Sequence, residues 1–198
     1  MKKLLTLLIA PLLFTSCGKD TIAINTEEGV QKFFDLLEQH IDDNTILNST
    51  ISMQSNPLEN DISQVYFEYW GEGGAEPLTA LKLVSNANGF EKDETIRENL
   101  KYFEKNTITY GELKKQLFIW QNISTGVDLV KEQDPDMVFA GVGAYEISFT
   151  GANGVATDYM TLQFTNKNDS EKLSGKRVLT NYYDIKFKIK DGFVSFED

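Results

Sequence analysis

The chain has very little of the two residue types that most often build catalytic and zinc sites, with one cysteine and one histidine in 198 residues. Zinc sites made of Cys and His ligands are excluded, because each needs three or four such side chains. A Ser-His-Asp or Cys-His device would have to use His40, which we interpret as a histidine near the negative pole of a helix. A glycine-rich phosphate loop with its lysine is also absent. The sequence therefore predicts no cofactor and no metal.

Positive charge is scarce as well. The chain has 19 basic and 30 acidic residues, a formal net charge of -11. Phosphate backbones repel such a body, so we expect no nucleic acid among its partners. Its acidic stretches, Asp42-Asp43 and 132–136, have neither the residue order nor the glycine of an EF-hand. We interpret them as solvated loop residues.

Long apolar runs are limited to one, at the amino terminus. Residues 4–14 are almost wholly apolar and follow Lys2 and Lys3. A membrane-spanning helix needs about 20 apolar residues, so this run is too short to be one. A charged segment followed by a short apolar one is typical of a secretory signal. The single cysteine, Cys17, ends this segment, and an exported protein with one unpaired thiol is unusual unless the thiol is modified.

The stretch Leu13-Phe14-Thr15-Ser16-Cys17 resembles the lipobox of bacterial lipoproteins. The resemblance implies diacylglycerol on the Cys17 sulfur, cleavage after Ser16, and a further acyl chain such as palmitate on the new amino terminus. Two or three chains anchor a protein stably. We therefore expect a signal peptide over 1–16, a lipidated tether over 17–25 and a location in the cell envelope, at the outer membrane on its periplasmic or outer surface. The alternative is an ordinary signal peptide that happens to end in cysteine.

The residues after Cys17 resemble those of lipoproteins from the Bacteroidota. Gly18-Lys19-Asp20 resembles the charged segment associated there with display at the cell surface. Asp20-Thr21-Ile22 is similar to the O-glycosylation acceptor of that group. The resemblance implies a sugar on Thr21.

The rest of the chain, 26–198, predicts a single α+β domain. Asn25 or Thr26 caps a first helix, which has acidic residues in its first turn and apolar residues at helical spacing. Strands are predicted over 46–53, 64–70 and 78–84. A central helix is predicted from Asp93 onward. A second helix begins at the capping box from Thr109 to Glu112 and ends at Gly126.

The last third predicts a meander of antiparallel strands. The turn signal Asp191-Gly192 pairs Ile189 with Val194 and Phe187 with Phe196. The same construction at Asn153-Gly154 pairs Ile147 with Met160 and Tyr145 with Leu162. Asp158 follows that turn, so we expect it to be exposed, and Asp184 shares the solvated side with the lysines of its strand.

Helices followed by a curved antiparallel sheet that ends in 187–194 resemble the NTF2-like superfamily, which includes SnoaL-type and ketosteroid-isomerase-like proteins. The resemblance implies amino-terminal and central helices packed on the sheet, and a pocket aspartate as general base. The family's catalytic residues map onto no matching positions here. The alternative fold is a duplicated one, with two helix-plus-sheet units of cystatin-like type over 26–90 and 91–198.

We expect a membrane-anchored lipoprotein whose noncatalytic domain binds a small molecule, a glycan or an envelope protein. The alternative is a small NTF2-like enzyme of isomerase or dehydratase type on the same anchor. An enzyme would need a buried ionisable residue with a polar partner in a deep pocket. Trp70, which precedes the glycine-rich 71–74, is expected near the surface. The aromatic candidates for lining a binding site are Trp70, Trp120, Tyr145, Phe149 and Tyr183.

Overall fold

The computed structural model describes residues 21–98, 108–149, 157–169, 172–174 and 177–197. Over these residues the chain forms three α-helices and ten β-strands. The helices are α1 (Glu27–Leu37), α2 (Tyr110–Lys114) and α3 (Ile119–Gln133). The strands are β1 (Leu47–Ser55), β2 (Ile62–Gly71), β3 (Ala75–Asn86), β4 (Gly89–Arg97), β5 (Met137–Ser148), β6 (Thr157–Asn166), β7 (Lys172–Ser174), β8 (Arg177–Leu179), β9 (Tyr183–Lys190) and β10 (Phe193–Phe196).

Eight of the strands form one antiparallel sheet in the order β10-β9-β6-β5-β1-β2-β3-β4, and β7 pairs separately with β8. The two halves of the chain meet at the centre of this sheet, where Thr50 of β1 lies opposite Ser148 of β5. On each side of this seam the strands follow in chain order. The predicted α+β class with an antiparallel sheet is confirmed. The first half extends to the end of β4 at Arg97, beyond the boundary predicted at residue 90.

The helices cover one face of the sheet. In α1 the Thr26 hydroxyl accepts a hydrogen bond from the Gly29 N–H at 3.1 Å, as the capping pattern predicts, and Phe33 and Leu37 are fully buried. In the second half α3 packs on β5, β6 and β10 and also contacts α1. The core lies between these helices and the inward side chains of the sheet. Burial of this apolar surface is the main favourable contribution to folding.

The central helix predicted from Asp93 is wrong. Asp93 lies in β4, opposite Lys82 of β3. A two-residue turn follows β3, and Gly89 after it has a φ of 115°, a conformation that suits glycine. Ile96, an apolar residue of the predicted helix, is 58% exposed on this edge strand. The other two, Leu100 and Phe103, lie outside the described residues.

The predicted capping box at Thr109 is confirmed. Its hydroxyl accepts from the Glu112 N–H at 3.3 Å, and the Glu112 carboxylate accepts from the Thr109 N–H at 3.2 Å. The predicted end of that helix is wrong, because α2 ends at Lys114 and Gly126 lies in the middle of α3. A Cβ at Gly126 would stand 2.5 Å from the terminal methyl of Met160. This glycine therefore permits a close approach of helix to sheet.

The carboxyl-terminal hairpin has the predicted register, with Ile189 opposite Val194 and Phe187 opposite Phe196. The β5–β6 register differs from the predicted one by two residues, since Tyr145 lies opposite Met160 and Ile147 opposite Asp158. The turn residues that predicted this register, Asn153-Gly154, lie outside the described residues.

Asp158 is buried, contrary to the prediction of an exposed residue near a turn. Only 6% of its surface is exposed, and it shares the inward side of β6 with Met160 and Leu162. The reason is the two-residue period of a strand, which gives residues 158, 160 and 162 the same direction. Asp184 is exposed on β9, as predicted.

The packed body begins earlier than the boundary predicted at residue 26. Ile22 and Ile24 are buried, and the Ile62 N–H donates to the Ile22 carbonyl at 2.9 Å. Gly29 of α1 leaves the space for this segment, because a Cβ there would overlap the carbonyl oxygen of Ala23. Residues 22–25 are therefore part of the body and not of the tether predicted over 17–25.

Replacing Gly29 by Ala is expected to destabilise the fold by about 3 kcal/mol, because the new methyl group meets backbone that cannot turn aside. Gly126→Ala is the matched control. Its Cβ would come too close only to the terminal methyl groups of Met160 and Leu162, which can turn aside, and alanine gains about 1 kcal/mol of helix propensity, so the change should stay within about 1 kcal/mol. Urea unfolding of the two variants measures the difference. Equal losses would contradict the packing of residues 22–25 against α1.

Candidate functional site

A chain of buried hydrogen bonds joins α3 to the sheet. The Asn122 side-chain amide donates to the Tyr145 hydroxyl at 2.9 Å, and that hydroxyl donates to Asp158 Oδ2 at 2.7 Å. The exposed fractions are 8% for Asn122, 0% for Tyr145 and 6% for Asp158. We call these three residues the Asp158 cluster. It holds an ionisable group inside the core, with polar partners that fix its orientation.

Each member of the cluster is positioned by the local fold. Asn122 lies in the first turn of α3, on the side that also carries the buried Ile119 and Ile123. Tyr145 points inward from β5. Asp158 lies at the start of β6 between Ile147 and Ile189, its partners on β5 and β9. Apolar neighbours on both strands leave the carboxylate little contact with water.

Burial raises the pKa of Asp158 from 3.8 to about 6, although the hydrogen bond from Tyr145 acts in the opposite direction. Burial and the nearby Asp158 charge raise the pKa of Tyr145 well above its usual value of 10.0. Tyr145 therefore keeps its proton as a donor, while Asp158 changes its charge in mildly acidic solution.

One oxygen of Asp158 has no protein partner. Within the described part of the chain, Oδ1 is buried and makes no hydrogen bond, whereas Oδ2 accepts from Tyr145. A buried acceptor without a donor is unfavourable, and such groups are uncommon in native proteins. This vacant acceptor is a reason to look for a ligand beside it.

A cavity of about 140 Å³ adjoins the cluster. It lies where the β9–β10 turn meets the segment between α2 and α3. Most ligand pockets measure about 300 to 1,000 Å³, so this one suits a group of a few heavy atoms. We call it the Asp158 pocket. Its lining residues are Gln116, Phe118, Asn122, Asp158, Ile189, Asp191 and Gly192.

The opposite face of the sheet carries a second buried carboxylate, but this one is fully paired. Glu68 Oε1 accepts from the Tyr66 hydroxyl at 2.5 Å and lies 3.1 Å from a guanidinium nitrogen of Arg97. Glu68 Oε2 accepts from the Asn48 amide at 2.8 Å. This network ties β1, β2 and β4 together and leaves no carboxylate oxygen for a ligand.

A shallow groove of about 310 Å³ lies on that same face, over β5, β6 and β9. Its charged residues include Glu146, Lys186 and Glu197, and the Lys188 ammonium lies 5.8 Å from the ring centre of Tyr159 at its side. Charged side chains of both signs line the groove, so it selects neither an anionic nor a cationic partner.

The five aromatic residues predicted to line a binding site do not share one pocket. Trp70 is 3% exposed, so the expectation that it lies near the surface is wrong. Phe149 is fully buried and Trp120 is half-buried on α3. Tyr183 is 42% exposed, and its hydroxyl donates to Asp169 at 2.9 Å. Only Tyr145 belongs to the Asp158 cluster.

The remaining predicted residues lie elsewhere. Cys17 is outside the described residues. Thr21 is exposed at the start of the described chain. His40 follows α1, and partial burial lowers its pKa, with the nearby Lys92 acting in the same direction.

Neither the described residues nor the comparisons supply a ready-made function. Within the described ranges, no group of three or more His, Cys, Asp or Glu side chains is placed to hold a metal ion. None of the described helices combines the length and the apolar character needed to cross a membrane. Comparisons with protein-family models, curated proteins and solved structures found no match. The candidate site is therefore assigned from its geometry alone.

Replacing Asp158 by Asn keeps the side-chain shape and removes the buried charge. Since the folded-state pKa lies above the ordinary value, ionisation destabilises the folded protein. The free energy of unfolding of the wild type should decrease between about pH 4 and pH 6 and stay at the lower value in more alkaline solution. The free energy of unfolding of Asp158→Asn, relative to wild type, should rise by about 3 kcal/mol between acidic and neutral solution.

Urea unfolding of both proteins across this pH range measures the effect. Asp128→Asn, on the exposed side of α3, controls for the loss of one negative charge. The same pH dependence in both variants would contradict a specific effect of the buried carboxylate.

Proposed function

We propose that the chain is a lipoprotein of the bacterial cell envelope, held to its membrane by lipid on Cys17, and that its body binds a small ligand at the Asp158 pocket without transforming it. The observation that carries the binding role is the unpaired Oδ1 of Asp158 beside a cavity. A fold that buries a half-paired carboxylate gives up stability there, and such local conflicts are expected at functional sites.

Noncatalytic binding is favoured because the described residues that line the cavity supply no opposing pair of catalytic groups. Acid–base chemistry needs a base and a donor that reach the reacting atoms from different sides. The Tyr145 hydroxyl is not free to act on a substrate, since it accepts a hydrogen bond from Asn122 and donates one to Asp158 within the core. The other carboxylate of the pocket, Asp191, belongs to an exposed turn.

The second candidate is an enzyme of isomerase or dehydratase type. The specific observation in its favour is that Asp158 has a pKa of about 6 and lines a cavity beside the Asn122 amide. A general base works best when its pKa is near the working pH. Turnover of a small substrate that is lost in Asp158→Asn would support this candidate.

The strand order favours the duplicated fold over the NTF2-like one. Each half consists of a helical segment followed by four strands that pair in chain order in the main sheet, with the β7–β8 hairpin inserted in the second half, and the halves join through β1 and β5. We propose two tandem helix-plus-sheet units, divided after Arg97, which keeps the predicted cystatin-like alternative with a later boundary. One continuous sheet then makes a single domain of both units.

We infer that the anchor proposed at Cys17 and the Asp158 pocket lie at opposite ends of the strands. Ile22 lies within about 18 Å of Cys17 along the chain and is bonded to Ile62 at the start of β2. Ile62 pairs with Ser55 at the end of β1. Five residues earlier in β1, about 17 Å away, Thr50 pairs with Ser148.

Ser148 lies at the same end of the sheet as the pocket. It lies opposite Thr157, the residue before Asp158. The strands thus separate the anchored end of the sheet from the Asp158 pocket, and a ligand reaches the pocket from the aqueous side.

The lipid anchor is tested by mass spectrometry of the mature amino terminus. The full chain, expressed in a bacterium with an outer membrane, should begin at Cys17 and carry diacylglycerol and an acyl chain. Cys17→Ala should lose the lipid and the membrane association. Thr21→Ala is the control, which should keep the lipid and lose any sugar. A cleaved and membrane-bound Cys17→Ala protein would refute the anchor.

The orientation is tested with a fluorophore on a new cysteine, because lipid occupies Cys17. Asn56→Cys labels an exposed site beside the anchor, and Phe193→Cys labels a residue that is 78% exposed beside the pocket. In vesicles with a lipid-borne quencher, quenching at position 56 should be at least about twice that at position 193, since contact quenching falls off well within the length of a strand. Equal quenching would contradict the orientation.

A further inference from the structure

We propose that the Asp158 pocket takes a small organic cation, an ammonium or guanidinium group that donates a hydrogen bond to Asp158 Oδ1. This inference deepens the binding role proposed above and rests on it. It names the chemical class of the ligand.

The first argument is the vacant acceptor. Oδ2 accepts a hydrogen bond from the Tyr145 hydroxyl, and Oδ1 has no donor among the described residues. Oδ1 is closed to water in this conformation while its residue lines the cavity, so a donor in the cavity reaches Oδ1 after a small rotation of the Asp158 side chain. Hydrogen bonds between a cationic donor and a carboxylate are roughly twice as strong as those between neutral groups.

The second argument is charge. Two of the lining residues, Asp158 and Asp191, carry carboxylates, and the described lining includes no basic side chain. The amino-terminal end of α3 at Phe118 acts in the opposite direction, with about half a positive charge. Two full negative charges exceed this partial charge. An anion would therefore be repelled, and a neutral donor would gain no ion pair.

The third argument is size and shape. A volume of about 140 Å³ corresponds to a few water molecules, each of about 30 Å³ in the liquid. Phe118 and Ile189 supply apolar walls, and an aromatic ring attracts a cation over its face. The pocket thus suits the end of an alkylammonium or alkylguanidinium chain.

Binding of a cation is coupled to the proton on Asp158. Burial raises the pKa of Asp158 to about 6, so a bound cation displaces a proton in mildly acidic solution. The ionisable groups that face Asp158 are Tyr145 from β5 and Asp191 from the β9–β10 turn. Asn122 from α3 and Ile189 from β9 do not titrate. Affinity should therefore fall about tenfold between neutral solution and one pH unit below this pKa.

The test uses two probes of matched shape, methylguanidinium and its neutral analogue N-methylurea. Each is titrated into the isotope-labelled full chain in a non-ionic detergent, and amide shifts near Asn122 and Gly192 are followed by NMR. Methylguanidinium should saturate these shifts and N-methylurea should not. Asp158→Asn should weaken binding at least about tenfold, since it removes the ion pair, whereas Asp128→Asn on the outer side of α3 should leave it unchanged.

The outcomes separate the two proposals. Saturable binding of N-methylurea that Asp158→Asn abolishes would uphold the binding role and overturn the cationic ligand. Equal binding of methylguanidinium to wild type and Asp158→Asn would overturn the assignment to Asp158. Shifts by neither probe would overturn both. The amide spectrum of Asp158→Asn shows whether that variant is folded, and removal of a buried charge favours folding.

Discussion

The pairing of β1 with β5 is the contact on which the rest of the structure depends. It joins the two halves of the chain into one sheet, with Met53 opposite Tyr145 at the seam. A continuous sheet gives α1 and α3 a common surface, so one core forms in place of two small ones, and a larger core buries a larger share of its surface. The same pairing orients β6, whose first residues carry Asp158. Fold and candidate site are thus consequences of one long-range contact.

The described residues of the sheet include two buried carboxylates that differ in how far their hydrogen bonds are satisfied. Glu68 accepts from Tyr66 and Asn48 and pairs with Arg97, so its burial is compensated within the protein. Among the described residues Asp158 has Tyr145 as its hydrogen-bond donor, and its other oxygen accepts no hydrogen bond. Burying an ionised group without full pairing is unfavourable, and a shift of the pKa relieves part of it. The difference between these two residues distinguishes a structural network from a site that can accept a ligand.

Local signals predicted much of the fold. The Thr26 cap, the Thr109 capping box and the Asp191-Gly192 turn depend on neighbouring residues, and each is found where expected. The failures involve distant contacts. A glycine is typical of a helix end, and only the close contact with Met160 explains why Gly126 lies inside α3. The burial of Asp158 is predictable from the sequence, because Asp158 alternates with Met160 and Leu162 and therefore points inward in either register. The prediction of exposure relied on its position near a turn and is wrong for that reason. Its cavity depends on packing that no local pattern contains.

The anchor proposed at Cys17 and the Asp158 pocket lie in different parts of the molecule. Because Ile22 is already packed in the body, at most four residues separate that body from Cys17, so the anchor proposed there would hold the body close to the lipid surface. Under that proposal the distance of the pocket from the membrane follows from strand length, through the paired strands from Ile62 to Ser148. The proposed ligand site lies at the other end of these strands, at the Asp158 oxygen that has no donor among the described residues. A substitution at the proposed anchor therefore need not alter ligand binding, because it changes none of the residues that line the pocket.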